Sequence, residues 1–308
     1  MKHFLSLADL APEQFQDLLT LAGRLKRQLQ IEGGNAPVLR GKILGMIFQK
    51  PSLRTRVSFD VAMLQLGGHA LYLSPNEIQL GKRESTADIA RVLGRYVSAI
   101  MARVFGHQDV VDLARWSPVP VINGLSDYSH PCQGLADYFT LHELWNGELA
   151  GRTLAYVGDG NNVLTSLLFG GALAGVRVRA ATPVGYEPPA DVLERARALG
   201  CQVQVVRDPY EAVAGADAIY TDVWTSMGQE AEAEHRRAVF PPYQVNQGLV
   251  AAASPNVVVL HCLPAHRGEE ITDEVADGPH SRLFDQAENR LHAQKALLVR
   301  LLAPEADA

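Results

Sequence analysis

The chain has 308 residues, with 28 Lys and Arg against 34 Asp and Glu, for a formal net charge of -6. That balance argues against nucleic acid or an anionic membrane as the main partner, and a chain of this length buries two domain cores without disulfide support. The three cysteines, Cys132, Cys201 and Cys262, have no metal-ligand spacing and read as free thiols in a reducing cytoplasm.

Apolar and polar residues alternate as helices and strands in two successive sets. A first helix starts near Pro12, carries Phe15, Leu18, Leu19, Ala22, Leu25 and Leu29 on one face, and ends at Gly33-Gly34. Ile43 to Phe48 reads as a buried strand, and Val57 to Leu66 has helix-compatible spacing. A polar loop follows from Pro75 to Arg83, then a helix through Ile89, Val92, Leu93 and Tyr96, a strand from Ala99 to Val104, a short helix, and a strand from Val119 to Ile122. Pro131 to Trp145 has the pattern of a connecting helix, and Asn146-Gly147 with Gly151 marks a boundary. Beyond it, strands are expected near Thr153 to Val157, Val176 to Ala181, Val203 to Val206, Ala218 to Thr221 and Val257 to Leu260, with a last helix from about Ala287 to Leu302. The run from Val163 to Val176 is too short and too rich in glycine to span a bilayer. Alternation with Ala- and Val-rich strands predicts an α/β protein of two domains, each a parallel sheet flanked by helices. The expected division is 1–146 and 147–286, with the final helix, about 287–308, able to pack back on the first domain.

Chemistry concentrates at strand ends. Lys50-Pro51-Ser52-Leu53-Arg54-Thr55-Arg56 sets hydroxyls and guanidinium groups between a strand and a helix, where free backbone N–H groups and the helix dipole favour an anion. A solvated basic turn with Ser52 as helix cap is the plainer alternative. In the second set, Gly158-Asp159-Gly160-Asn161-Asn162 has the first two glycines of a dinucleotide-binding fingerprint. Val163 takes the place of the third, and Ala181-Thr182 supplies no acidic residue for a ribose, so an NAD-dependent oxidoreductase stands only as a rival.

Ser52-Leu53-Arg54-Thr55-Arg56, His130-Pro131-Cys132-Gln133, Asp222 to Gly228, and His261-Cys262-Leu263-Pro264 stand in the order seen in ornithine carbamoyltransferases. Asn123-Gly124-Leu125-Ser126-Asp127 and Phe284 to Arg290 extend the likeness over nearly the whole chain. The chain therefore resembles that family, whose members join the carbamoyl group of carbamoyl phosphate to the side-chain amine of ornithine, giving citrulline and phosphate in arginine metabolism. The resemblance implies no metal or organic cofactor, a homotrimer or a multiple of trimers, and small-molecule partners only.

It also implies roles. The domain 1–146 would bind carbamoyl phosphate and 147–286 ornithine. Ser52, Leu53 through its backbone, Arg54 and Thr55 would hold the phosphate; Arg103 and His130 would reach the carbonyl oxygen and phosphate; Gln133 would bind the carbamoyl amide, and Arg290 would complete the pocket. Gln79 matches a position that enters the neighbouring subunit's site. Leu53 departs from the threonine of many relatives. Asn162 and the Met227 backbone would meet the ornithine α-carboxylate, and Asp222 with Ser226 its α-amino group. Cys262 would lie near the reacting amine, and the Cys262 and Leu263 carbonyls would orient the carbamoyl NH2. Arg103, His130, Cys262 and Thr55 are the expected catalytic groups, working as two substrates are held in a closing cleft between the domains. Taken singly, Cys262 and Met227 also fit as core filler, and His130 as a helix cap. A sister enzyme for aspartate, putrescine or N-acetylornithine, and a non-catalytic paralogue, are the nearer alternatives.

Overall fold

The computed structural model describes residues 1–306 apart from Lys82 and Met227. The chain divides into two compact units, Met1–Glu143 with Glu288–Ala308, and Leu144–Ala287. The C-terminal stretch thus belongs with the first unit.

The first unit holds a parallel sheet of β1 (Ile43–Phe48), β2 (His69–Leu73), β3 (Ala99–Arg103) and β4 (Val121–Leu125), in the order β2-β1-β3-β4. β1 and β3 are central and almost wholly buried, which is why they read as unbroken apolar runs. β2 lies at an edge with mixed exposure, and only its pairing with β1 from Ile43↔His69 onward identifies it. The second unit holds β5 (Thr153–Val157), β6 (Arg177–Ala181), β7 (Val203–Val206), β8 (Ala218–Thr221) and β9 (Val258–His261), again all parallel, in the order β7-β6-β5-β8-β9. Its core runs from Ala155, Val157 and Ile219 through Trp224, Phe240 and Tyr243 to Val259 and Leu283.

Each order reverses direction at one place, between β1 and β3 in the first sheet and between β5 and β8 in the second. Helices leave the sheet on opposite faces at such a point, so a crevice opens beyond the carboxyl ends of the two strands. Ser52 and Arg103 stand beyond or at the ends of β1 and β3, and Asn161 and Asp222 follow β5 and β8.

Several elements differ from the sequence reading. The helix after β1 starts at Leu53, because the Ser52 hydroxyl caps it by accepting from the Thr55 N–H at 3.4 Å. The polar stretch after Ser74 contains a helical turn, Pro75–Ile78, with Pro at its start and Glu77 accepting from the Ser74 N–H. β4 runs to Leu125, shifting register opposite Ala102 and Arg103. The last helix begins at Leu283, ahead of Ala287. Gly160 is needed for packing: a Cβ there would come within 2.4 Å of the Glu187 carbonyl carbon and the Pro188 nitrogen. Among the described residues no helix is long and apolar enough to cross a membrane.

Candidate active site

In the first unit the capped turn at Ser52 leaves the opening N–H groups of the helix Leu53–Gln65 directed outward, beside Arg54. Leu53 is 75% exposed and adds no polar side chain. Arg103 closes β3 and is buried. Its carbonyl accepts from the Gln49 N–H at 2.8 Å, while the Gln49 side chain accepts from Phe105 N–H at 2.7 Å and donates to Asp109 at 2.9 Å. Gln49 therefore clamps the ends of β1 and β3 together.

His130 precedes the helix Pro131–Leu144 and is buried. Burial first, then the guanidinium groups of Arg290, Arg103 and Arg54, hold its imidazole well below the usual histidine range. It is neutral at pH 7, so it stands among three cations without adding a fourth. Arg290, on the helix Leu283–Leu302, donates through Nη1 to Gln133 Oε1 at 2.8 Å and through Nη2 to Thr55 Oγ1 at 3.3 Å. A guanidinium only donates, so the Thr55 oxygen is the acceptor and its own hydrogen remains available to a ligand. Gln133 in turn donates from Nε2 to Asp137 Oδ1 at 2.8 Å. The turn at Ser52, three guanidinium groups and a neutral imidazole suit a dianion with an adjoining carbonyl group.

The loop that delivers His130 is pinned from below. Asn123 Nδ2 lies 3.0 Å from the Leu5 carbonyl and 3.2 Å from the hydroxyls of both Ser126 and Ser129. Cys132 donates to the Asn123 carbonyl at 3.4 Å, and burial pushes its thiol up to about 12. Cys132 is a packing group. Gln79 is exposed, with φ of 39°, and its side chain donates to the Asn76 carbonyl at 3.3 Å. Among the described residues no hydrogen bond joins Gln79 to Ser52, Arg54 or Thr55.

In the second unit Asp222 is the hub. Its Oδ1 accepts from the Cys262 thiol at 2.9 Å and from Val223 N–H at 2.8 Å, and its Oδ2 from Asn161 Nδ2 at 2.7 Å. Asn161 also caps the helix Asn162–Ala174, accepting from Val163 and Leu164 N–H groups. Asn162 occupies the first turn of that helix, its carbonyl accepting from Ser166 Oγ at 3.2 Å. The Ser226 N–H donates to Gln229 Oε1 at 3.1 Å. Met227 lies outside the described residues.

A buried ion pair and a buried histidine–carboxylate hydrogen bond support this hub. Arg236 meets Asp159 at 3.0 Å and donates to the Trp224 carbonyl at 2.8 Å, joining the end of β5 to the segment after β8. Burial pushes the Asp159 carboxyl up to about 6 despite the opposing pull of Arg236. His261 Nδ1 accepts from the Leu263 N–H at 2.9 Å, so its proton sits on Nε2 and goes to Glu270 Oε1, 3.0 Å away. Glu270 Oε1 also accepts from the His266 N–H at 2.6 Å. These bonds set the backbone on either side of Cys262. Asp222, His261 and Cys262 offer ligand atoms within 4.8 Å of one another. With both ring nitrogens of His261 engaged, this donor set does not fit a metal ion as arranged.

The positions that sequence reasoning passed over are Gln49, Asp137, Asn161, Arg236 and Glu270. Asp137 follows Gln133 by four residues, a helical spacing that puts both on one face, and this signal was readable. Asn161 directly precedes Asn162 in the same polar turn. Arg236 and Glu270 reach their partners only through the folded chain.

The two units are parallel α/β sheets, one with a cation-rich turn at its topological switch point and the other with a carboxylate–thiol hub, and likeness to known proteins assigns this arrangement to a class of transferases. Residues 2–143 match the family model of the aspartate/ornithine carbamoyltransferase carbamoyl-P binding domain, and 150–301 that of the Asp/Orn binding domain. The chain belongs to the aspartate/ornithine carbamoyltransferase family. It is 54% identical over 307 residues to the ornithine carbamoyltransferase of Archaeoglobus fulgidus, covering 100% of this chain and 99% of the relative. To that of Pyrococcus abyssi it is 56% identical, covering 98% and 96%. The solved ornithine carbamoyltransferase from Pyrococcus furiosus superposes with a TM-score of 0.94 at 55% identity, covering 98% of this chain and 97% of that one.

Proposed function

We propose that the chain is an ornithine carbamoyltransferase, which joins the carbamoyl group of carbamoyl phosphate to the side-chain amine of L-ornithine and releases L-citrulline and phosphate. The observation that carries the reading is the end-to-end likeness, at 54% and 56% identity, to proteins bearing that name. The two polar clusters are of the right charge for the two substrates. Arg54, Arg103 and Arg290 would neutralise the phosphate, with Ser52, the Leu53 and Arg54 N–H groups and Thr55 adding hydrogen bonds. Asp222, buried and already oriented by Asn161 and Val223, would hold the ornithine α-ammonium together with Ser226, while Asn162 and the Met227 backbone would take its α-carboxylate.

The reaction requires a neutral side-chain amine, because an ammonium has no lone pair. The amine nitrogen adds to the carbamoyl carbon, and negative charge gathers on the carbonyl oxygen. Arg103, His130 and the Thr55 hydroxyl would stabilise that oxygen; donors of this kind are commonly worth roughly 10²–10³ in rate each. A neutral imidazole still has one N–H to donate to that oxygen, and it does so without adding a fourth positive charge to the site. Collapse breaks the bond from carbon to the bridging oxygen, and the departing phosphate takes up the proton from the attacking nitrogen. Cys262 donates its own proton to Asp222, so its sulfur would act toward the amine as an acceptor of an N–H, and direct attack by the amine needs no covalent intermediate.

The same reading includes a trimeric assembly in the cytoplasm, with Gln79 entering a neighbouring subunit's site. Its exposure and its place in a loop of the first unit support that role. A relative from Pyrococcus furiosus is described as anabolic, which favours the arginine-synthesising direction here. The test is stoichiometric: purified protein given carbamoyl phosphate and L-ornithine should release citrulline and phosphate one to one. Phosphate release without citrulline would set the reading aside.

A further inference from the structure

We infer that Asp137 is a positioning residue that makes the site select a carbamoyl NH2 over a methyl group, by holding the Gln133 carboxamide with its oxygen turned to the substrate. The inference rests on the carbamoyl phosphate reading above. Gln133 is 1% exposed and Asp137 0%, and the two lie one helical turn apart on Pro131–Leu144. Gln133 stands between two partners that each work in one direction only. Arg290, a pure donor, reaches Oε1 at 2.8 Å. Asp137, as a carboxylate a pure acceptor, receives Nε2 at 2.8 Å.

Carboxamide oxygen and nitrogen are alike in shape, and only their partners decide which way the group faces. Here both partners demand the same orientation. An amide oxygen has two lone pairs, and Arg290 takes one. The second is left for an N–H of the carbamoyl group. A methyl group in the same place would leave that buried acceptor unsatisfied, and a site built to hydrogen-bond a substrate group discriminates strongly against an analogue lacking it. Arg290 can draw the oxygen toward itself, but it cannot hold the far end of the carboxamide. Asp137 anchors the nitrogen and so fixes the side chain's torsion, without touching substrate.

Phosphonoacetamide and 2-oxopropylphosphonate test this directly, since they carry the same phosphonate and carbonyl and differ only in NH2 against CH3. Both would be measured as competitors of carbamoyl phosphate in the full-length enzyme. The protein should favour the amide by about tenfold or more. Asp137→Leu should bring the two inhibitors within about threefold of each other, and Asp137→Ala should do the same without the added bulk. Asp137→Asn keeps an acceptor oxygen for Nε2 and should keep the discrimination, even if loss of the charge weakens both inhibitors alike. The ratio separates orientation from charge and from general loosening. A folded Asp137→Leu or Asp137→Ala protein that retains the full ratio would overturn the inference, as would an Asp137→Asn protein that loses it. The Asn variant thus decides alone if the apolar ones do not fold. An unsubstituted protein in which neither phosphonate competes with carbamoyl phosphate would instead remove the substrate reading itself.

Discussion

The Cys262 thiol lies 2.9 Å from Asp222 Oδ1, at the ends of two adjacent strands and 40 positions apart in the chain. The bond unites the two residues most exposed to the ornithine question, one a candidate partner of the α-ammonium and the other of the reacting amine. Cys262→Ala should lower kcat by at least tenfold, since it leaves Asp222 without one of its donors and the amine without an acceptor. Cys262→Ser, which keeps a donor and an acceptor, should lie between Ala and the natural enzyme. Steady-state kinetics with ornithine varied will check the order.

Removing either cation proposed to meet the phosphate should sharply lower kcat/KM for carbamoyl phosphate. A charge-assisted hydrogen bond is worth about 1.5–3 kcal/mol, so Arg54→Ala should raise the carbamoyl phosphate KM by roughly 10- to 150-fold. Arg103→Ala should lower kcat as well, because in the proposed reaction that side chain would also stabilise the developing oxyanion. Thermal unfolding must first show that each variant is folded. Unchanged kinetics in either would remove it from the anion site.

Acid should destabilise the protein from about pH 6.5 downward. Burial lowers His130 well below the ordinary histidine value of about 6.5 and His292 to about 4. Below pH 6.5 the unfolded chain takes up protons on these rings and the native state does not, so their contribution is intact above the unfolded value and lost as pH falls toward the folded one. Asp159 acts in the opposite sense, because its folded value is raised from 3.8 to about 6. Two rings outweigh one carboxyl, and the midpoint of thermal unfolding should fall between pH 6.5 and 5. His292→Gln should flatten the slope; an unchanged slope would remove His292 as a contributor.

The Asp159–Arg236 pair should be costly to break from one side. Arg236→Met leaves a buried carboxylate uncompensated, a change usually worth about 3–5 kcal/mol, and frees the Trp224 carbonyl. Asp159→Asn should cost less, since its carboxyl already titrates near 6. Urea unfolding at pH 7.5 will rank the two, and the reverse order would contradict the role given to Arg236.

Much of this architecture was readable before folding, and the remainder was hidden for physical reasons. The central strands Ile43–Phe48 and Thr153–Val157 announce themselves because burial on both faces leaves no charged residue and almost only apolar ones in them. β2 does not, since an edge strand with mixed exposure resembles a loop. Gly158 and Gly160 mimic part of a nucleotide fingerprint, yet Gly158 is needed for its φ of 143° and Gly160 for the close approach of Glu187 and Pro188. The turn at Ser52 was readable as a candidate anion site from its residues and its place between a strand and a helix, with a plain capped turn as the alternative. Its completion by Arg290, 235 positions from Thr55, was visible only through a family resemblance. His261 and Glu270 pair across an irregular loop, where no periodicity links one to the other.

A composite site predicts complementation. A variant altered at Gln79 and one altered at Arg54 should each be inactive, and dissociating and reassembling them together should restore partial activity, because some interfaces combine an intact loop with an intact phosphate turn. Mixed assemblies verified by mass that show no recovery would confine the site to one chain.

The most direct measurement is competition among amines. With carbamoyl phosphate saturating, kcat/KM is determined for L-ornithine, putrescine, N-acetylornithine and L-aspartate, in the natural enzyme and in Asp222→Asn. L-Ornithine should be preferred over all three, activity should climb through the neutral pH range as an amine or its partner loses a proton, and Asp222→Asn should erode the preference over putrescine. A natural enzyme that carbamoylates N-acetylornithine or putrescine better than L-ornithine, or that makes no citrulline at any pH, would contradict the account.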